Sequence, residues 1–408
     1  MDRSDFFIQN RGESALAHPG AIQVPLVSFV LTGKPDDDFA QVIEAVRKQS
    51  YPRFEAILVD ASATASSHAA LERQIAGDRR FQIVSVDTDP GPFGRASLGL
   101  AAAEGEFITF LEATELPLPN FAAIHIQTHL ASRHSVAFTA SPFFTARPER
   151  DGPPSPLSEP SAAWPQPGTP VLRLACIDDS AFADLASRVA LIEPTRQGWT
   201  TSPDAAKMYR RFILDLLDPQ AVAATEQPSS ASTHYAPLCQ MLGGSASIGI
   251  PLSSPRLTAL PEPTASREAG SRTAIDERNT LRVWAANGSD FVRRIGSQRY
   301  WNGLALLLVG PQPGPSQMPG PAQIAARADG LLPLLSSAFG ERQAIHQLDE
   351  RLPRPAVLAV LKEQYGSRLP LHVQIALRTT VLRRMREAVR QYLRARKARG
   401  RKRRAMRG

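Results

Sequence analysis

The chain has 408 residues, 43% of them hydrophobic, enough for two domains or one large domain with extensions, and for a sizeable core. Its formal charge of +8 comes from one end: residues 383–408 hold thirteen Lys and Arg against Glu387 alone, which leaves the rest of the chain at a net −4. A fold that attracts nucleic acid over its whole surface is thereby excluded, since the positive field belongs to one appendage.

Cys176 and Cys239 are too few for a disulfide framework and lack the closely spaced partners of a structural zinc site, so a reducing cytoplasm is expected. Residues 1–10 carry charges of both signs and no apolar stretch, and the longest strongly apolar run, 304–309, is far short of the roughly 18 residues of a membrane span. Neither a signal peptide nor a span is expected.

After a polar leader at 1–23, residues 24–31 (VPLVSFVL) read as a buried strand closed by the turn at 32–35. Phe39, Val42, Ile43 and Val46 recur at helical spacing behind Asp36, Asp37 and Asp38, acids suited to the positive end of a helix dipole. Tyr51-Pro52 ends that helix, and 54–59 form a second strand that runs into Asp60. A short helix at 71–75, a strand at 81–86, a flexible Gly- and Pro-rich loop at 89–94, a helix at 96–103 and a strand at 106–111 follow. Strands alternating with helices at this spacing predict an α/β fold, a parallel sheet covered on both faces. Ligands of such sheets sit at the carboxyl ends of strands, here Thr32, Asp60 and Glu112.

Proline dominates 147–170, an expected insertion or linker. Residues 208–217 and 235–242 read as helices, and 264–376 as a mostly helical extension. His125 and His129 lie four apart on a half-exposed helix with His134 beyond; no acid between them completes an HExxH-like metal site.

Three segments together, PLVSFVL at 25–31, QSYPRFEAILVDASAT at 49–64 and GRASLGLAAAEGEFITFLEATELPLP at 94–119, resemble family-2 glycosyltransferases of the GT-A fold. A weaker likeness runs through 198–219 and 234–252. The resemblance implies a mixed, mainly parallel sheet with helices on both faces, a nucleotide-sugar-binding half at 24–146, an acceptor-side half at 171–263 and a helical extension beyond it. It also implies transfer of a sugar from a nucleoside diphosphate, UDP or GDP, to an acceptor such as an envelope glycan, lipid or protein.

In that family the acid ending the second strand meets the nucleotide base, a position held here by Asp60, with capping of the next turn as the alternative. An Asp-x-Asp at the end of the acidic strand holds Mn²⁺ or Mg²⁺ against the diphosphate. Here the motif is Glu112-Ala113-Thr114-Glu115, so Glu112 and Glu115 are the candidate metal ligands, with a solvated strand-end pair as the alternative. The family's general base falls in 230–235 (SASTHY), which contains no acid, and His234 is the group left for that role or for simple packing. Arg95 is a candidate diphosphate contact or a solvent-facing side chain. Ala61, Gly33, Ala96 and Ser97 also depart from the family pattern. A catalytically silent GT-A fold serving as a binding or scaffold subunit is the second reading.

The tail at 377–408 opens as a basic amphipathic helix and runs into KARGRKRRAMRG. An anionic membrane surface is its expected partner, placing the protein at the inner face of the plasma membrane. Packing on the body with a solvated basic end, and nucleic-acid binding, are the alternatives.

Overall fold

The computed structural model describes residues 8–10, 24–33, 39–61, 65–113, 115–132, 136–142, 172–194, 206–217, 228, 230–255, 266–309, 319–366 and 368–374. The acids expected at the first helix's start (Asp36 to Asp38), the Pro-rich stretch at 147–170, His134, Thr114 and the tail at 377–408 lie outside them. The chain divides into two units, one ending at Thr280 and one starting at Leu281.

In the first unit the elements run β1 (Ile8–Asn10), β2 (Val27–Thr32), α1 (Ala40–Arg47), β3 (Phe54–Asp60), α2 (Ala65–Ile75), β4 (Phe81–Ser85), α3 (Gly91–Ala102), β5 (Phe107–Glu112), β6 (Glu115–Pro117) and α4 (Phe121–Ala131). They continue with β7 (Phe138–Ser141), β8 (Leu172–Leu174), α5 (Asp179–Arg188), β9 (Val189–Ile192), β10 (Ala206–Arg210), α6 (Arg211–Leu214), α7 (Ala231–Gly243), β11 (Ser245–Ile248) and β12 (Ser253–Pro255). Eight strands form one sheet in the order β4-β3-β2-β5-β10-β7-β11-β9. Its first four strands are parallel, β10 runs antiparallel to both β5 and β7, β11 is parallel to β7, and β9 closes the sheet antiparallel to β11.

β2 is buried along its whole length and β3 at all but one position, which is why both read as continuous apolar runs rather than alternating ones. One face of the sheet packs Phe29, Leu31, Leu58 and Leu111 with Val42, Ile43 and Val46 of α1 and Phe121 and Ile126 of α4. The opposite face carries Val30 and Val59, on which α3 lies. A Cβ placed on Gly99 of α3 would stand 2.3 Å from Val30 Cγ1 and 3.2 Å from Val59 Cγ2, so the missing side chain sets how closely helix and strands approach. Gly105 has the same function before β5: its Cβ would meet the Leu26 carbonyl oxygen and the Ser28 amide nitrogen, each at 2.8 Å.

Two local expectations are corrected. The stretch at 89–94 is not a flexible loop, because α3 already begins at Gly91. Pro92 sits in the first turn, where its fixed φ suits a helix and its missing N–H costs nothing, and the Asp89 carboxylate accepts the Gly91 amide at 2.9 Å. The helix expected at 208–217 is a strand, β10, followed by the single turn of α6. Between β5 and β7 the sheet leaves a slot with unpaired backbone groups on both sides, and filling it outweighs the helical preference of the local sequence.

The histidines of α4 are not half-exposed. His125 is fully buried with Nδ1 at 2.6 Å from Thr139 Oγ1, and His129 Nε2 lies 3.2 Å from the Met208 carbonyl. Burial pulls His125 down to about 3 and His129 well below its usual range, so both are neutral in the fold. Because the unfolded chain binds these protons near pH 6.5, the stabilisation is complete above that pH and is lost as pH falls toward 3. Each histidine should withdraw about 1.4 kcal/mol per pH unit below about pH 6. Urea unfolding at pH 7, 6 and 5 is expected to show this decline, and His125→Gln to make it shallower; a flat profile would contradict the assignment.

The second unit comprises the end of α8 (Ser266–Ala286), then α9 (Gly288–Ile295), α10 (Ser297–Val309), α11 (Pro321–Arg327), α12 (Leu331–Phe339), α13 (Glu341–Arg351) and α14 (Arg354–Tyr365), the expected helical extension. Its core is aromatic: Trp284 stacks on Tyr300 at 5.4 Å, and Phe339 packs against Tyr300 and Trp301. The Trp284 indole N–H donates to the Tyr300 carbonyl and the Tyr300 hydroxyl to the Trp284 carbonyl, so both buried polar tips are satisfied. Among the described residues no helix is long and apolar enough to cross a membrane.

Candidate functional site

The sheet register brings the sequence-predicted strand ends to one edge. Thr32 of β2 pairs directly with Glu112 of β5, and because Leu31 pairs with Leu58, Asp60 of β3 falls one residue beyond the level of Thr32. By the alternation of the pleat Thr32 and Glu112 share one face, and Asp60 approaches the edge from the other. Thr32 and Asp60 are buried while Glu112 is exposed. The Thr32 carbonyl accepts the Ala113 amide at 2.8 Å, and the Asp60 carbonyl accepts the Val86 amide at 3.0 Å, so both strand ends are fixed by backbone bonds as well as by packing.

Glu115 is turned back on its own turn, where its carboxylate accepts the Glu112 amide at 3.2 Å. β6 then pairs with β12, Glu115 opposite Pro255, which anchors the segment after the turn. Among the described residues no group of three His, Cys, Asp or Glu side chains is placed to hold a metal ion. With one carboxylate engaged by the turn and no third acid beside it among the described residues, these residues do not make up a Mn²⁺ or Mg²⁺ site, and no step is routed through a metal.

Arg95 is buried rather than solvent-facing. It lies in the second turn of α3, with Nη1 2.6 Å from Asp89 Oδ1, the oxygen that also accepts the Gly91 amide. The pair ties the approach to α3 onto the helix.

His234 is 1% exposed in the first turns of α7. Its ring lies 4.6 Å from Phe93 and 5.1 Å from Tyr235, and among the described residues neither ring nitrogen has a hydrogen-bond partner. Burial pulls it down to about 3, which keeps the imidazole neutral and shut away from solvent. Tyr235 next to it stacks on Phe110 of β5 at 5.6 Å, so the α7 segment expected to supply a base instead forms an aromatic layer against the sheet.

Sequence reasoning missed Lys207. It is 4% exposed on β10, and its Nζ donates to Ser232 Oγ at 2.7 Å in the first turn of α7. Only its placement in a strand signals it, since the local sequence reads as the edge of a helix.

A mixed sheet opening on four parallel strands, with acids and a hydroxyl collected at their carboxyl edge and helices on both faces, defines a GT-A-like fold. The family comparison covers part of this sheet, including β3, β4 and β5 but not β2: residues 36–176 match the model described as "Glycosyl transferase family 2", which bears out the resemblance there. An uncharacterized glycosyltransferase of Haemophilus influenzae is 28% identical over 118 residues, 28% of this chain and 47% of that protein, so the match takes in about half of the relative's length. Among solved structures, S. aureus TarS (14% identity, 87% of this chain and 54% of that chain) aligns with a TM-score of 0.41. The mannosyltransferase PcManGT of Pyrobaculum calidifontis, in complex with GDP-Man and Mn²⁺, aligns at 14% identity over 87% of this chain and 88% of that chain, TM-score 0.38.

Proposed function

We propose that this chain binds a nucleoside-diphosphate sugar at the carboxyl edge of β3, β2 and β5 and transfers the sugar to an acceptor hydroxyl. The observation that carries the reading is the pairing of Thr32 with Glu112, with Asp60 one residue beyond; Asp60 and Glu112 lie inside the stretch that matches the family model, and Thr32 lies just before it. In this reading Asp60 accepts hydrogen bonds from the nucleotide base, Thr32 lines the floor between the strands, and the Arg95–Asp89 pair steadies the α3 approach beside the donor. The anomeric carbon exchanges its bond to the diphosphate oxygen for one to the acceptor oxygen. Glu112, the exposed carboxylate at the edge, takes the acceptor's proton, a role for which His234 is too deeply buried. The tail at 377–408, with its surplus of twelve positive charges over 383–408, holds the protein at an anionic membrane face.

Calorimetry with UDP- and GDP-sugars, with and without Mn²⁺, combined with an assay of donor hydrolysis, tests this reading. Binding of one donor with slow release of its diphosphate is expected. A second reading, a silent GT-A fold that binds but does not turn over, is favoured by the burial of His234 in the segment where the family keeps its base; binding without any hydrolysis or transfer would select it. No affinity for either nucleoside diphosphate would sink both.

A further inference from the structure

Residues 371–374 open a helix in the second unit, and its rotation is set by the helices beside it. The Gln374 amide donates to the Pro370 carbonyl at 3.1 Å, and Val373 is fully buried. The Tyr365 hydroxyl donates to Glu341 Oε1, and His372 Nε2 lies 3.1 Å from the same oxygen, so one carboxylate ties the end of α14 and the new helix to the start of α13. Leu371 is left 72% exposed, one of two large apolar side chains so placed among the described residues.

At about 100° per residue, Val373 points about 160° away from Leu371, and the sequence continues the two directions differently. Within about 40° of Leu371 fall Ile375, Leu382, Met385, Val389 and Leu393, with Arg378 the single charge among them as far as Leu393. Within about 40° of Val373 fall Leu377 and then only Thr380, Arg384, Glu387 and Gln391. Beyond Leu377 the side covered by the second unit therefore has nothing apolar to bury, while the apolar arc that begins at Leu371 turns away from that unit.

Charge selects what covers the arc. Residues 383–408 hold thirteen Lys and Arg against Glu387, so a second copy would set twelve surplus positive charges against twelve more. Nucleic acid answers the charge but leaves the apolar arc in water. An anionic lipid surface answers both: acyl chains take up the arc, headgroups take up the arginines that flank it, and Arg378 reaches the headgroups along its apolar stem.

We propose that the stretch from Leu371 to Leu393 lies in the surface of an anionic bilayer with the Leu371 face in the acyl region, its rotation fixed on the second unit by Val373 and by the Glu341–His372 contact. The inference rests on the membrane reading of the tail and deepens it, since a defined face inserts in addition to the attraction of charge. Because the helix start is tied to α13 and α14, insertion also sets the orientation of those helices to the membrane.

The test is cosedimentation of the full chain with phosphatidylcholine vesicles, with and without phosphatidylglycerol, at low and high salt. The wild type is expected to bind the anionic vesicles and to keep part of that binding at high salt, which screens charge but not insertion. Leu371→Gln and Leu382→Gln should each weaken binding about tenfold or more, and Thr380→Gln, on the opposite side, should not change it. In vesicles with brominated acyl chains, Leu382→Trp should add quenching to that of the wild-type tryptophans, and Thr380→Trp should not.

Binding that Leu371→Gln and Leu382→Gln leave unchanged, and that high salt abolishes, would overturn insertion and leave the electrostatic tether standing. No affinity for anionic vesicles would remove both. A solution dimer that Leu371→Gln dissociates would instead assign the face to a second copy, and binding to duplex DNA with a steep salt dependence and no response to Leu371→Gln would assign the tail to nucleic acid. Leu371 is exposed, so its substitution should leave the fold intact, as circular dichroism would verify, and Leu382→Gln gives an independent second reading.

Discussion

Gly99→Val should destabilise the first unit by about 3 kcal/mol or more, at the upper end of what overpacking costs. The new Cβ alone would come within 2.3 Å of Val30 Cγ1, and the branched methyls would reach further into β2 and β3. The helix cannot tilt away cheaply, because Phe93, Ala96 and Leu100 on the same helix are buried. With about 5–15 kcal/mol holding a typical domain together, such a loss is a large share of the total. Urea unfolding monitored by circular dichroism would show the midpoint shift, and Gly320→Ala, where nothing lies within 4 Å and φ is an ordinary −61°, should leave it unchanged. Gly99→Ala is expected to cost less and to be partly rescued by Val30→Ala, which removes the atom it strikes. A wild-type midpoint for Gly99→Val would mean that α3 does not rest on the sheet as described.

Glu112→Gln is expected to lower sugar transfer about a hundred- to ten-thousandfold, the usual contribution of a positioned general base, with little change in donor affinity. The amide keeps the shape and hydrogen-bonding capacity of the side chain but cannot take a proton. Asp60→Ala should show the opposite pattern, with donor binding weakened about tenfold or more through the lost charge-assisted hydrogen bonds. The two variants separate the nucleotide end of the site from the reacting end. If Glu112→Gln keeps full turnover, Glu112 is not the base; if both variants behave as the wild type, the edge formed by β3, β2 and β5 is not where the donor lies.

The positions of Thr32, Asp60 and Glu112 were legible because each ends a strand whose burial on both faces writes an unbroken apolar run, and a parallel sheet directs all such ends to one side. The motif glycines were legible as residues but not as physics: Gly99 and Gly105 matter because of atoms 69 and 77 positions earlier, Val30 and Ser28, that only the packed sheet brings near. β10 was misread because its five residues hold no period of their own and become a strand only between β5 and β7. His125, His129 and His234 were visible, yet their burial, and hence their neutral state, depends on helices closing over the sheet.

By itself the sequence determined the alternating β and α order, the acids at the strand ends, the departures at Ala61 and Glu112 to Glu115, and a positive tail set apart from a mildly acidic body. Tertiary structure alone decided that Glu115 serves its own turn, that Arg95 is buried against Asp89, and that Lys207, 95 residues beyond Glu112, shares its face of the sheet. The division has a physical cause. Hydrophobic periodicity is a local imprint of burial and can be read along the chain, whereas the neighbours of a charged group are set by strand order and register, which no local pattern records.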